Sequence, residues 1–136
     1  MSNTLRTLVV EDTMVTREFL RMVMQQWGEC ACVETGEEAV TLFEQAHNDG
    51  KPFDLVVLDI MLPGMNGQQT LETLREVERK AEISEEDQVH VIITTALDDD
   101  ETASRAFIHG KAVSFITKPV RMERLEEEVQ SLGLTG

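Results

Sequence analysis

Side chains that could do chemistry stand at the ends of four apolar runs of the chain. One of them, Asp59, ends an unbroken apolar run, where an ionised carboxylate is unfavourable unless a cation or hydrogen-bond donors meet it. Two further acids, two hydroxyls and one ammonium group are available to do so. They are Glu11 and Asp12 after residues 5–10, Thr94 and Thr95 at the end of residues 89–95, and Lys118 after residues 112–117.

Brought into one crevice, these groups would form a receptor for a phosphoryl group. Crowded carboxylates repel one another and suit a hard divalent cation with oxygen ligands, such as Mg²⁺. Lys118 adds a compact positive charge. The chemistry indicated is that of an aspartyl phosphate, with Asp59 as the nucleophile and the cations neutralising the phosphoryl oxygens. Thr94 and Thr95 alternate across the strand, so only one can face the crevice, and Ala96 favours Thr95.

The crevice requires that the strands carrying these residues lie side by side, and the hydrophobic pattern predicts such a fold. Five apolar runs alternate with five amphipathic segments, which indicates an α/β fold with a parallel sheet and helices on both faces. A doubly wound five-stranded sheet of flavodoxin-like order 2-1-3-4-5 would place the carboxyl ends of strands 1, 3, 4 and 5 together. The predicted strands are about 5–10, 30–34, 54–59, 89–95 and 112–117, and the predicted helices about 15–27, 35–48, 67–80, 98–110 and 122–132.

The composition favours one globular domain, 1–136, with its core at about residues 5–132. The chain has 136 residues and 41% hydrophobic content, enough for a single core. Its 12 basic and 26 acidic residues give a net charge of −14, which argues against a nucleic-acid surface. No apolar run reaches the roughly 18 residues of a membrane span, and residues 1–7 lack a signal region, so a cytoplasmic location is expected.

Two cysteines, Cys30 and Cys32, share one face of the second predicted strand. A direct bridge between them would be strained, and the three histidines are too scattered to complete a metal site. The pattern is typical of packing residues in a reducing compartment.

Short motifs follow the predicted strands in a fixed order. They are Glu11-Asp12 after strand one, Asp59 followed by Pro63 and Asn66-Gly67, Thr95-Ala96 after strand four, and Lys118-Pro119 after strand five. This ordered set resembles the receiver domain of bacterial two-component response regulators. The resemblance covers nearly the whole chain. It departs from the family in having Glu instead of Asp at position 11, and in a longer acidic loop at residues 81–88.

The resemblance implies roles for individual residues. Asp59 would take a phosphoryl group from a sensor histidine kinase or histidine phosphotransfer protein. Asp12 and Asp59 would bind Mg²⁺ directly with the main-chain carbonyl of Met61, and Glu11 would act through water. Lys118 would pair with the phosphoryl group, and the Lys118–Pro119 bond is expected to be cis.

The remaining implied roles concern switching and output. Thr95 would hydrogen-bond the phosphoryl group, and Phe115 stands at the aromatic switch position. Met61 and Leu97 stand where the family tunes the lifetime of the phosphoryl group. A downstream protein would bind the fourth helix, fifth strand and fifth helix, about residues 99–132.

Two alternatives stay open. A degenerate receiver would act only as a protein-binding module, although no acid, nucleophile or lysine is missing here. A phosphatase with an aspartate nucleophile would want a second Asp at position 61, where this chain has Met. The favoured expectation is a stand-alone receiver that catalyses only its own phosphorylation and dephosphorylation.

Overall fold

A computed structural model describes residues 4–96 and 113–134 of the chain. The strands are β1 (Thr7–Val10), β2 (Cys30–Val33), β3 (Leu55–Asp59), β4 (His90–Thr95) and β5 (Val113–Thr117). The helices within these residues are α1 (Met14–Met24), α2 (Gly36–Asn48), α3 (Gly67–Lys80) and α4 (Met122–Ser131). All strand pairs are parallel, in the order β2-β1-β3-β4-β5. The predicted topology is confirmed; the predicted helix at 98–110 lies outside the described residues, and α4 is the fifth helix of the sequence prediction.

The sheet separates two hydrophobic cores because alternate residues of a strand point to opposite faces. On one face Val56 and Leu58 of β3 pack with Phe43 and Leu74 from α2 and α3. Residues of the opposite parity, such as Val57, pack on the other face with the side chains of α1 and α4. Residues Leu55 to Leu58 are all buried, which is why β3 reads as a continuous apolar run.

Helix starts and stops follow local chemistry, with one departure from prediction. Helix α2 begins with a capping box, in which the Thr35 side chain accepts a hydrogen bond from the Glu38 backbone N–H and the Glu38 side chain accepts one from the Thr35 backbone N–H. Helix α1 was predicted to reach residue 27 but ends at Met24. The chain turns instead toward Gly28, which has φ +152° and lies so close to the start of β1 that a Cβ atom would be 2.3 Å from the Leu5 carbonyl oxygen.

The acidic segment at residues 81–88 is mostly exposed and contains one 3₁₀ turn, Glu85–Asp87. Among the described helices, none combines the length and apolar character that crossing a membrane requires.

Candidate functional site

The carboxyl ends of β1, β3, β4 and β5 bring the predicted site residues together. Asp59 is the last residue of β3 and is only 3% exposed, although it carries a carboxylate. Glu11 follows β1 directly and is 1% exposed, whereas Asp12 is exposed. Lys118 follows β5, and its backbone N–H donates to the carbonyl of Thr95 at 2.7 Å. Parallel strands in the predicted order thus produce the predicted crevice.

Lys118 forms an ion pair with the buried carboxylate of Asp59. Its Nζ lies 3.1 Å from Oδ1 of Asp59 and 3.7 Å from Oε1 of Glu11. Two backbone N–H groups of the described residues also donate to these carboxylates. The Met61 N–H donates to Asp59 Oδ1 at 3.1 Å, and the Thr13 N–H donates to Glu11 Oε2 at 3.1 Å. Thr13 occupies the N-cap position of α1, and its side chain makes no capping hydrogen bond.

The pKa shifts in the site follow from burial and charge. Burial raises the pKa of Glu11, and the negative charge of Asp59 acts in the same direction against the hydrogen bond from Thr13. Burial acts to lower the pKa of Lys118, but the hydrogen bond to Asp59 and the charges of Asp59 and Glu11 outweigh it, so that pKa is raised. One ammonium group therefore stays charged between two buried carboxyl groups.

The acidic residues fit a small hard cation. Glu11, Asp12 and Asp59 each offer a carboxylate oxygen, and these oxygens lie within 4.8 Å of one another. Glu11 Oε1 is buried and has no hydrogen-bond partner among the described residues. A cleft of about 610 Å³, bordered by Asp12 and Met61, opens beside them and leaves room for water ligands. Oxygen donors of this kind suit Mg²⁺.

The two threonines of β4 separate as the alternation predicts. Thr94 shares the parity of Ile92, and Thr95 shares that of Ile93, which packs on the opposite face of the sheet. Phe115 packs against that same core from β5, so Thr95 and Phe115 lie on one face of neighbouring strands. Thr95 is 8% exposed.

Two further residues, Arg17 and Gly67, shape the site, and Arg17 is not among the residues predicted from the sequence. Arg17 in α1 donates to the Glu11 carbonyl at 3.0 Å and thereby holds the loop after β1. The available signal was its position one helical turn before the buried Leu20. Gly67 begins α3 so close to β3 that a Cβ atom would lie 2.6 Å from the Asp59 carbonyl oxygen.

The Lys118–Pro119 bond is cis, as expected, and Leu97 lies outside the described residues.

Comparison with known proteins assigns this arrangement to one kind of domain. The family model of the response regulator receiver domain matches residues 7–130. The chain is 34% identical over 132 residues to the regulatory protein VanRB of Enterococcus faecalis, covering 94% of this chain and 52% of that protein. It is 29% identical over 127 residues to the chemotaxis protein CheY of Treponema pallidum, covering 93% and 81%. The chain thus spans about half of VanRB, and only 7% of a hybrid signal transduction histidine kinase L from Dictyostelium discoideum.

Solved structures share the fold. The receiver domain of the histidine kinase CKI1 from Arabidopsis thaliana, solved with Mg²⁺, superposes with a TM-score of 0.77 at 23% identity, covering 93% of this chain and 90% of that one. The chemotaxis protein CheY4 of Vibrio cholerae superposes with a TM-score of 0.73 at 19% identity, covering 94% and 98%.

Proposed function

Because the chain belongs to the response regulator receiver family, the phosphoacceptor module of two-component signalling, we propose that Asp59 is its phosphoacceptor. The donor is the phosphohistidine of a sensor histidine kinase or histidine phosphotransfer protein. One observation carries the assignment: Asp59 is 3% exposed, and the Lys118 ammonium lies 3.1 Å from its Oδ1. A carboxylate held at a strand end beside a cation is both oriented and neutralised for attack on a phosphoryl group.

The transfer is a substitution at phosphorus. Among the described residues both donors to Asp59 contact Oδ1, so Oδ2 is the attacking oxygen. The new bond joins Oδ2 to phosphorus while the bond from phosphorus to the donor imidazole nitrogen breaks. Its electron pair returns to the imidazole, which takes up a proton from water. Lys118 stabilises the negative charge on the transferring oxygens.

Mg²⁺ is the cofactor of this proposal. Members of the family bind it in an acidic pocket, and here Asp12, Asp59 and the Met61 carbonyl would hold it directly, with Glu11 acting through water. When bound, Mg²⁺ supplies positive charge that neutralises the phosphoryl oxygens. Two observations support this ligand set: the carboxylate oxygens lie within 4.8 Å of one another, and Oε1 of Glu11 has no hydrogen-bond partner among the described residues.

Thr95 and Phe115 change conformation in response to the phosphoryl group. The Thr95 hydroxyl binds the phosphoryl group, and Phe115 turns into the space that Thr95 leaves. Two observations support this coupling: both side chains lie on one face of neighbouring strands, and the Lys118 N–H binds the Thr95 carbonyl. The contact between Thr95 and the phosphoryl group is charge-assisted and worth about 1.5–3 kcal/mol. This energy limits how far phosphorylation can shift the equilibrium between the two arrangements of Thr95 and Phe115.

The phosphohistidine protein docks on the surface around Lys118, because its histidine must come within bonding distance of Asp59. That surface is apolar. Val15 is 76% exposed, and a cleft of about 500 Å³ between Phe19 and Val120 adjoins Lys118. Val15→Glu should slow labelling by any phosphohistidine protein that labels the parent chain, while labelling by acetyl phosphate stays unchanged. Thr41→Glu, on the exposed side of α2, is the matched control; equal slowing in both variants would place the docking surface elsewhere.

Output passes through a downstream protein bound at residues 99–132, in the cytoplasm and without direct nucleic-acid contact. The chain forms one receiver domain with its core at about residues 5–132, and its only catalysis is its own phosphorylation and dephosphorylation. The net charge of −14 supports the lack of a nucleic-acid surface.

Incubation with acetyl phosphate and Mg²⁺ tests the assignment of Asp59. Intact mass should show one covalent phosphoryl group on the parent chain and on Asp49→Asn, which removes an exposed carboxylate at the end of α2. Asp59→Asn should acquire none. Steady release of inorganic phosphate would indicate a phosphatase, and no reaction of the folded parent would indicate a degenerate receiver. Phosphorylation of Asp59→Asn at the parent's rate would show that another residue is the acceptor.

A further inference from the structure

The two cysteines of β2 form a pair with its own chemistry. Their sulfur atoms lie 3.9 Å apart in hydrogen-bonding contact, and both thiols are free. Cys30 and Cys32 are also the only cysteines of the whole chain. The sequence pattern suggested packing residues, but two thiols in direct contact are also a dithiol.

The two thiols differ in environment, which gives them different roles. Cys30 is 8% exposed within the core beneath α1, whereas Cys32 is only half-buried on the outermost strand of the sheet. The hydrogen bond with Cys30 lowers the pKa of Cys32 to about 7; burial opposes this, and the positive charge of Arg21 supports it. The same contact and burial raise the pKa of Cys30. A substantial fraction of Cys32 is therefore thiolate near neutral pH, and the thiolate is the nucleophilic form.

We propose that Cys30 and Cys32 are a redox-active dithiol that hydroperoxides oxidise to an intrastrand disulfide, with Cys32 attacking first. The Cys32 thiolate attacks one peroxide oxygen, the O–O bond breaks, and the leaving oxygen takes up a proton to become water or an alcohol. Cys32 is then a sulfenic acid. The Cys30 sulfur attacks the Cys32 sulfur, the S–O bond breaks, and water leaves with the Cys30 proton. In sum, two thiols lose two electrons and the hydroperoxide gains them.

Strand geometry makes this disulfide easy to reduce again. Residues two apart on a strand are separated by about 6.6 Å between Cα atoms, at the upper end of the range that a disulfide spans. The sulfurs must also close from 3.9 Å to about 2.05 Å, which bends the strand locally. Strained and accessible disulfides are the labile ones, and transient disulfides of this kind occur in reducing compartments.

Oxidation of the full chain tests the proposal without any substitution. After treatment with hydrogen peroxide, alkylation and intact mass measurement should show a monomer that has lost two hydrogens and accepts no iodoacetamide. Dithiothreitol should restore both thiols. Retention of both thiols, a disulfide-linked dimer as the main product, or direct accumulation of sulfinic acid would each overturn the proposal.

Three variants assign the roles within the pair. Cys30→Ser should leave a Cys32 sulfenic acid that dimedone traps, whereas Cys32→Ser should react at least tenfold more slowly. Arg21→Gln should slow oxidation of the pair several-fold. Arg124→Gln is its matched control, because Arg124 also forms a helix-surface ion pair with a Glu but lies on α4, which contacts β5 at the opposite edge of the sheet from β2. Equal rates of oxidation in Arg21→Gln and Arg124→Gln would overturn the role of Arg21. Equal rates of oxidation in Cys30→Ser and Cys32→Ser would overturn the role of Cys32 as the first thiol to react.

Discussion

Lys118 balances the charge of the site. Its ammonium group contacts Asp59 and Glu11, which are 3% and 1% exposed. In Lys118→Met these carboxylates stay buried, continue to repel one another and lose their cation. We expect the free energy of unfolding to fall by roughly 1–3 kcal/mol in the absence of divalent ions, the scale of a lost hydrogen bond to a charged group. Urea unfolding in the presence of a chelator measures this change.

The control for Lys118 is Lys51→Met, which removes an exposed lysine from the loop before β3. Surface substitutions of this kind usually change stability by no more than about 0.5 kcal/mol. If both lysine variants lost the same stability, the contacts of Lys118 with the buried carboxylates would contribute nothing specific.

His90 is the residue expected to link stability to mildly acidic pH. Burial lowers its pKa below the ordinary value of 6.5, and the charge of Arg75 acts in the same direction. The unfolded chain therefore takes up this proton at a higher pH than the folded chain does, so stability is lost as the pH falls through about 6.5. In His90→Gln the loss of unfolding free energy between about pH 7.5 and about pH 5.5 should be smaller than in the parent. An equal loss in both proteins would contradict this linkage.

Among the elements, α3 starts against β3 only because residue 67 has no side chain. An added Cβ at Gly67 would lie 2.6 Å from both the Asp59 carbonyl oxygen and the Ile60 Cα. Gly67→Ala should therefore lower the free energy of unfolding by about 1–3 kcal/mol, the usual result of overpacking. It should also weaken Mg²⁺ binding, because the displaced backbone is that of Asp59. Gln68→Ala, the next position of α3, should leave both quantities near the parent's; similar losses in the two variants would refute the steric argument.

Helix α3 is joined to β4 by a buried carboxylate. Glu78 is 1% exposed; its Oε2 accepts the Val89 N–H at 2.6 Å and its Oε1 accepts from Arg75 at 2.8 Å. Glu78→Gln replaces one acceptor with an N–H group, which leaves a buried donor facing a donor. We expect the free energy of unfolding, measured with urea, to fall by about 1–3 kcal/mol. Glu76→Gln removes a half-exposed carboxylate that pairs with Arg79 on the surface of the same helix, and it should change little. An equally small change in Glu78→Gln would mean that this link does not stabilise the fold.

The elements were largely predictable from the sequence, whereas their polar links were not. Each strand is an apolar run and each described helix carries an apolar stripe, so local pattern determines their type. Strand β4 begins at His90 instead of the predicted residue 89 because the Val89 N–H binds the Glu78 side chain. Arg17 was missed for a similar reason: its partner is the Glu11 backbone, which no periodicity reveals. The site residues were visible because each stands next to a strand end, and parallel topology brings those ends together.

At the scale of the whole molecule, an acidic site lies within a strongly acidic protein. The net charge is −14, and repulsion among these charges opposes the compact state. Any salt reduces that repulsion by screening, whereas an ion held in the site stabilises the fold by mass action. The two effects are separable, because screening depends on ionic strength, whereas binding in the site would depend on Asp12 as a proposed ligand.

Mg²⁺ is expected to stabilise the folded chain beyond screening. An ion that binds only the folded state adds about 2.7 kcal/mol at a concentration of roughly 100 times its Kd. Asp12→Asn should remove most of this gain, because it takes away one of the proposed Mg²⁺ ligands. Asp12 is exposed, so its replacement disturbs little packing. Asp49→Asn, which also removes one exposed charge, should keep it. The measurement is urea unfolding in MgCl₂ and in NaCl of matched ionic strength. Equal stabilisation by the two salts, or an undiminished gain in Asp12→Asn, would mean that screening alone acts.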